Sequence, residues 1–307
     1  MKDFQYPDDI YTEAEPDVNT LANLGPLAPM AGIWEGKRGL DINPKAEGPE
    51  KDPYIEHYEL QPIDAQTNGP QLFYGLRYHT HIVQPDEVET FHDQVGYWLW
   101  EPATGNISLS LSIPRGQSLI ATGNAAADAK EFTLKAVRGS LTNGIISNPF
   151  LEQSFTTERY EITVKIHEDG TWSYDQTTIM IIPNYNKPFE HRDRNRLTKI
   201  GEPTPNPTAL AAAAKNKEAK MSKPVLFYSA ECPDTPSFVA ELKALNVDYE
   251  EIEVQSTLPN LKRFLRLRDN EAVFDEAKAK GYAGLPALLL ADGRVILDET
   301  QLKSVFA

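Results

Sequence analysis

Between Pro26 and Ile200 apolar side chains recur at every second position in many short runs, and no stretch carries the long three-to-four spacing of a helix. Gly105-Asn106-Ile107-Ser108-Leu109-Ser110-Leu111-Ser112-Ile113 puts aliphatic groups on one face of a strand and serines on the other. Phe132 to Ala136 and Tyr160 to Ile166 alternate likewise. Glu168-Asp169-Gly170-Thr171 supplies a hairpin turn into Trp172 to Gln176, because glycine accepts the positive φ that such a turn demands. Consecutive hairpins make a meander, and one this long must stack as a sandwich or close as a barrel. Closure removes the exposed edges. The pattern therefore predicts an all-β antiparallel up-and-down barrel, with Leu21 to Met30 capping one end.

Regular structure must stop at Gly201-Glu202-Pro203-Thr204-Pro205-Asn206-Pro207, where three alternating prolines fix φ and disfavour helix before them. Thr208 to Lys220 follows, rich in Ala with Lys and Glu, and reads as a short exposed helix or a semi-rigid spacer. Met221-Ser222-Lys223 resembles the start of an independent unit. The expected organisation is an N-terminal extension over 1–20, a barrel over 21–202, a linker over 203–221 and a second domain over 222–307. In that domain residues 224 to 230 read as a buried strand, Pro236 to Leu245 as a helix and Val247 to Val254 as a second strand, which is a βαβ unit. Leu258 to Lys280 is helical, with Leu261, Phe264, Leu265 and Leu267 as buried candidates. A hairpin over Leu285 to Leu297 and a terminal helix complete an α/β, thioredoxin-like domain.

The chain has one cysteine, so it forms no intramolecular disulfide, which fits a reducing, cytoplasmic setting. The first residues show no basic segment followed by an apolar one, and no run approaches the roughly eighteen apolar residues of a membrane helix. A net charge of −15 repels nucleic acid and anionic membranes. Arg192-Asp193-Arg194-Asn195-Arg196 is the one basic patch, and it reads as a solvated or salt-bridged strand end.

The lone cysteine follows an apolar strand in Val225-Leu226-Phe227-Tyr228-Ser229-Ala230-Glu231-Cys232-Pro233-Asp234-Thr235. A helix N-terminus with its unpaired N–H groups would stabilise a thiolate there, although Asp234 opposes it. This region, from 222 to 307, resembles glutaredoxins, with Cys232-Pro233-Asp234-Thr235 at the active-site motif. The resemblance implies a cis proline at Pro286 beside the thiol, a glutathione-pairing backbone at Leu285, and a basic residue at Lys223 near the glutathione carboxylate or the thiolate. Thr235 stands where a dithiol enzyme has its second cysteine, so exchange would be monothiol, with glutathione or a protein thiol. The usual Gly-Gly-Ser/Cys-Asp segment is replaced by Leu297-Asp298-Glu299-Thr300.

In the barrel, Trp34 is large enough to plug one end, while Gly32 and Gly36 share its face and leave room around it. Gly32-Ile33-Trp34-Glu35-Gly36-Lys37-Arg38-Gly39 resembles the signature of nitrobindin-like haem-binding barrels, which are related in shape to fatty-acid-binding proteins. Pro26-Leu27-Ala28, Gly96 to Pro102 and Ile113-Pro114-Arg115-Gly116 match in order, with an insert over Asn43 to Pro53. The resemblance implies haem b, with His191 in Pro183-Asn184-Tyr185-Asn186-Lys187-Pro188-Phe189-Glu190-His191 as the axial ligand of the iron. If His191 points inward then so do Asp193 and Asn195, with Arg192, Arg194 and Arg196 outward. His79 and His81 share one strand face with Phe73, Gly75 and Arg77, opposite Tyr74, Leu76, Tyr78, Thr80 and Ile82. They either enter the cavity across from His191 or form a surface pair, and a metal site from His79, His81 and Asp193 is a further alternative. His57, His92 and His167 receive no role.

The expected function is a haem barrel handling nitric oxide or peroxynitrite, joined to a monothiol exchange domain. The rival is a non-enzymatic barrel carrying a small molecule or lipid, with a redox-inactive docking domain.

Overall fold

Alternating side chains give strands whose apolar faces all turn one way, and in the computed structural model those faces close on themselves. The structure describes residues 5–183, 185–221 and 223–306, without the side chains of 217–221. Residues 1–4 of the expected extension, Asn184 and Ser222 lie outside the described residues. The chain divides into two units, 1–210 and 211–307.

The first unit contains β1 (Gly32–Lys45), β2 (Gly48–Pro62), β3 (Gln66–Asn68), β4 (Gln71–Val83), β5 (Thr90–Glu101), β6 (Asn106–Ile113), β7 (Gln117–Asn124), β8 (Glu131–Val137) and β9 (Ile145–Ser147). The short helix α1 (Pro149–Ser154) leads into β10 (Thr156–Ile166), β11 (Trp172–Ile181) and β12 (Phe189–Gly201). Among the described residues ten strands, all but β3 and β9, follow one another around a closed antiparallel ring in sequence order, with β1 paired to β12. The seam between β7 and β8 is thin, a single bridge at Thr122 and Lys135, because β9 takes the start of β7 as its partner instead. The insert over Asn43 to Pro53 is the tip of the β1–β2 hairpin, paired down to Lys45 and Gly48.

The lumen is packed with large side chains. Trp34, Trp98, Trp100 and Trp172 are all buried. Tyr58 stacks on Tyr78 at 5.4 Å between centroids and meets the edge of Trp172 at 5.3 Å. Such contacts add to the hydrophobic gain of burying the rings. Two 3₁₀ turns, Thr20–Ala22 and Gly25–Met30, close one end of the barrel and bury Leu24, Leu27 and Met30. Trp34 plugs that end as its size suggests, and its Nε1 donates to the Met30 carbonyl at 2.7 Å. Buried Asn206 anchors the departing chain, accepting from Thr20 N and donating to Val18 O and Asp64 Oδ1. Thr208 to Lys220 falls within the helix α2 (Pro207–Met221).

The second unit has the mixed sheet β14-β13-β15-β16, made of β13 (Val225–Tyr228), β14 (Glu250–Glu253), β15 (Ala287–Leu289) and β16 (Val295–Ile296). β13 and β14 are parallel, and the other pairs antiparallel. The helices are α3 (Thr235–Ala244), α4 (Leu258–Asn270), α5 (Asp275–Ala279) and α6 (Leu302–Phe306). Phe227 packs with Phe264 and Phe274 on one face of the sheet, and Leu226 with Phe238, Leu242 and Leu302 on the other. This arrangement is consistent with a thioredoxin-like fold. Of the four buried candidates in α4, Phe264 is buried, Leu267 is partly buried, and Leu261 and Leu265 are exposed. The helix is amphipathic with a narrower buried face than its leucines suggest.

Candidate functional site

At the end of the barrel away from the 3₁₀ turns, the inward positions change from apolar to ionisable. β12 alternates as its sequence implies: His191, Asp193 and Asn195 face the lumen, and Arg192, Arg194 and Arg196 face out. Arg196 pairs with Asp169 at 2.7 Å and Arg192 with Glu190 at 3.6 Å, which makes the basic patch a salt-bridged strand end. His191 sits at the mouth with 30% of its side chain exposed, and its Nε2 lies 2.6 Å from Asp41 Oδ1 on β1. Asn43 Nδ2 donates to Asp41 Oδ2 at 2.9 Å and to Asp52 Oδ2 at 2.6 Å, fixing the carboxylate from behind. Beside the mouth lie the apolar Met180, Ile182 and Phe189, packed with Ile42, Phe155 and Tyr185.

Below His191 a hydrogen-bonded chain runs into the lumen. Tyr54 Oη is in bonding contact with Asp193 Oδ1 and lies 2.8 Å from Tyr174 Oη, which donates to Glu56 Oε2 at 2.9 Å. Glu56, fully enclosed, also accepts from Asn195 Nδ2 at 2.9 Å and Thr80 Oγ1 at 2.8 Å. Tyr54 donates to Asp193 and Tyr174 to Glu56, so each phenol proton serves one of the two carboxylates. Burial raises the pKa of Glu56, and burial together with the Glu56 charge holds the Asp193 carboxyl far above the usual aspartate range. Glycines make room for this chain. A Cβ on Gly36 would overlap the Asn195 amide, and one on Gly39 the Tyr54 ring.

His92, partly buried on β5, also lines the lumen beneath the mouth. Desolvation depresses its pKa, and the charge of Arg115 adds to the effect, so its imidazole is neutral at neutral pH. Neither His92, Asp41, Tyr54 nor Glu56 was a sequence candidate. A usable signal existed for Glu56, the one charge between Tyr54 and Leu60 on the strand face that carries them.

His79 and His81 take the surface alternative. Tyr74, Leu76, Tyr78, Thr80 and Ile82 fill the lumen, so the two imidazoles point outward, His79 bonding Asp93 at 2.8 Å and His81 bonding Thr90 at 3.0 Å. They stand outside the wall and Asp193 inside it, so these three form no metal site. Among the described residues no group of three or more His, Cys, Asp or Glu is placed to hold a metal ion.

A pocket of about 20 Å³ inside the barrel is lined by Glu56, Trp98, Trp172, Gln176 and Asp193 among others. That is about the room of one water molecule. Sites for molecules of porphyrin or lipid size run to roughly 300 Å³ and more. A porphyrin therefore does not fit within that pocket. The rim carries an imidazole held by a carboxylate next to an apolar cluster, a donor type that can ligate haem iron.

In the second unit, half-buried Cys232 lies in the turn before α3, three residues ahead of Thr235, and not within the helix end. Its Sγ donates to the Leu285 carbonyl at 3.4 Å, a contact that the thiol makes and a thiolate loses. The Leu285–Pro286 bond is cis, as the glutaredoxin resemblance implies. Pro233 and Asp234 are exposed in the turn, whereas the Thr235 hydroxyl is committed to Ser229 O at 2.9 Å. Lys223 is not brought to the thiol: it precedes β13 and pairs with Asp248 at 2.7 Å, while Cys232 follows the far end of that strand.

The first unit is thus a closed antiparallel β-barrel with an imidazole and carboxylates at one mouth. The chain belongs to the family described as "THAP4-like, heme-binding beta-barrel domain", which matches residues 23–199. That membership supports a haem-binding or ligand-binding role for the barrel. An uncharacterized protein of Haemophilus influenzae is 60% identical over 86 residues, covering 28% of this chain and all of that protein. The crystal structure of Rv2717c from M. tuberculosis aligns with a TM-score of 0.43 at 20% identity, covering 59% of this chain and 97% of that one. Among the described residues no helix is long and apolar enough to cross a membrane.

Proposed function

We propose that the barrel binds ferric haem across its open end with His191 as the axial donor and handles nitric oxide or peroxynitrite there. Cys232 would meanwhile exchange with glutathione or a protein thiol in a reducing cytoplasm. The observation that carries the haem reading is the inward, half-exposed His191 with one ring nitrogen held by Asp41. Asp41 fixes the tautomer and makes the other nitrogen the better donor. Ferric haem held there supplies an iron position open to a small ligand. Neutral His92 adds no charge beneath it, and the family membership favours haem over other guests. The choice of nitrogen oxides rests on the resemblance of Gly32 to Gly39 and the following motifs to nitrobindins.

For thiol exchange, support comes from the half-buried sulfur beside the Leu285 carbonyl. Deprotonated Cys232 would attack one sulfur of glutathione disulfide, forming the mixed disulfide and releasing glutathione thiolate. The rival reading of a lumen that carries lipid gains no support from the 20 Å³ pocket beneath the mouth. Haem titration of the full chain tests the main proposal: a Soret band that saturates at one haem per chain and is lost in His191→Ala supports it. A band of equal affinity in that variant defeats it.

A further inference from the structure

The outer wall of the barrel holds a groove on the side away from the lumen. Across β4, β5, β6 and β7 the register places Arg77, Tyr97, Ser110 and Ile120 in one outward row and His79, Val95, Ser112 and Ser118 in the next. The serines are short, so the wall dips between the long side chains of β4 and the loop over residues 139–144 that leads into β9. The dip encloses about 920 Å³. Five exposed large apolar residues, Val95, Tyr97, Ile120, Leu141 and Ile146, line it together. Scattered exposed apolar groups are ordinary, but a cluster around a cavity marks a binding surface.

The charged groups at the β4 end are Glu59, Arg77, His79 and Asp93. Glu59 accepts from Gln61 Nε2 at 3.0 Å, and Asp93 is engaged by His79 at 2.8 Å. Exposed Arg77 makes no ion pair among the described residues, which leaves a planar fork of donors facing the groove's apolar body. We propose that this groove binds a small amphipathic carboxylate, its head on Arg77 and its apolar part over the serine floor against Val95, Tyr97, Ile120 and Ile146. The net charge of −15 repels an anion at a distance, so affinity has to come from contact within the groove.

Calorimetric titration of the full chain with dodecanoate tests the site. One molecule binds per chain, and Arg77→Gln weakens binding about tenfold, the factor that a lost charge-assisted contact of about 1.4 kcal/mol produces. Dodecanol binds the parent no better than dodecanoate binds that variant. Ser110→Trp fills the dip from outside and removes binding, with an unchanged melting curve as the check on folding. Leu141→Ser, at a fully exposed loop position, weakens binding without touching the core. No binding by the parent, or equal binding by Arg77→Gln and Ser110→Trp, would overturn the proposal.

Discussion

Glu56→Leu is the sharpest test of the polar chain inside the barrel. The carboxylate accepts from Tyr174, Asn195 and Thr80, so a leucine of similar volume leaves three enclosed donors without an acceptor. Each stranded donor costs about 1 kcal/mol or more, about 3 kcal/mol together. Relief from burying a charged carboxylate returns part of this, so the net loss is about 2 kcal/mol. At roughly 3 °C per kcal/mol for a unit of this size, the barrel transition falls by about 6 °C in calorimetry. Glu56→Gln separates charge from bonding, because the amide keeps an acceptor for one of the donors. The folded-state pKa of Glu56 is raised above the ordinary 4.5, so folding takes up a proton between the two values. The Glu56 contribution is therefore most favourable below 4.5 and is lost as pH rises through the folded-state value. The Gln variant lacks that loss, and its stability relative to the parent improves with rising pH. A Leu variant as stable as the parent, or a Gln variant with the parent's pH slope, would refute the reasoning.

Other substitutions probe the remaining contacts. Asp41→Asn should weaken haem affinity about tenfold or more in a Soret titration, since it loosens the hold on the imidazole. His79→Ala, on the outer surface, should leave that affinity unchanged and the stability within about 0.5 kcal/mol. Gly39→Ala forces a methyl into the Tyr54 ring and should cost about 1–3 kcal/mol, read from urea unfolding. Incubation with glutathione disulfide should add one glutathione to the parent in intact-mass spectra and none to Cys232→Ser. Lys223→Ala should react at the parent's rate, because its ammonium sits at the other end of β13.

Side-chain alternation made the closed meander legible, and in β12 it grouped His191 with Asp193 and Asn195 on one face and the three arginines on the other. Trp34 was readable as a plug from its size alone; the room left by Gly32 and Gly36 goes instead to Lys199 with the Gly201 carbonyl and to the Asn195 amide. For β4 the same alternation defined two faces without saying which was the lumen: both carry aromatic residues, so His79 and His81 remained ambiguous until closure of the ring decided. Asp41 and His92 were invisible for another reason. Each acquires meaning only from a residue far along the chain, His191 for the first and the enclosed mouth for the second. In α4 the leucines suggested more burial than the small sheet can cover, and the excess stays on the surface.

All four tryptophans belong to the barrel and none to the second unit. Intrinsic emission is consequently a one-sided reporter: it registers loosening of the first unit, and quenching by any guest at the mouth, while the cysteine-bearing unit stays dark in that channel. Comparing indole fluorescence with helix-sensitive circular dichroism on the intact chain therefore yields two melting curves from one sample.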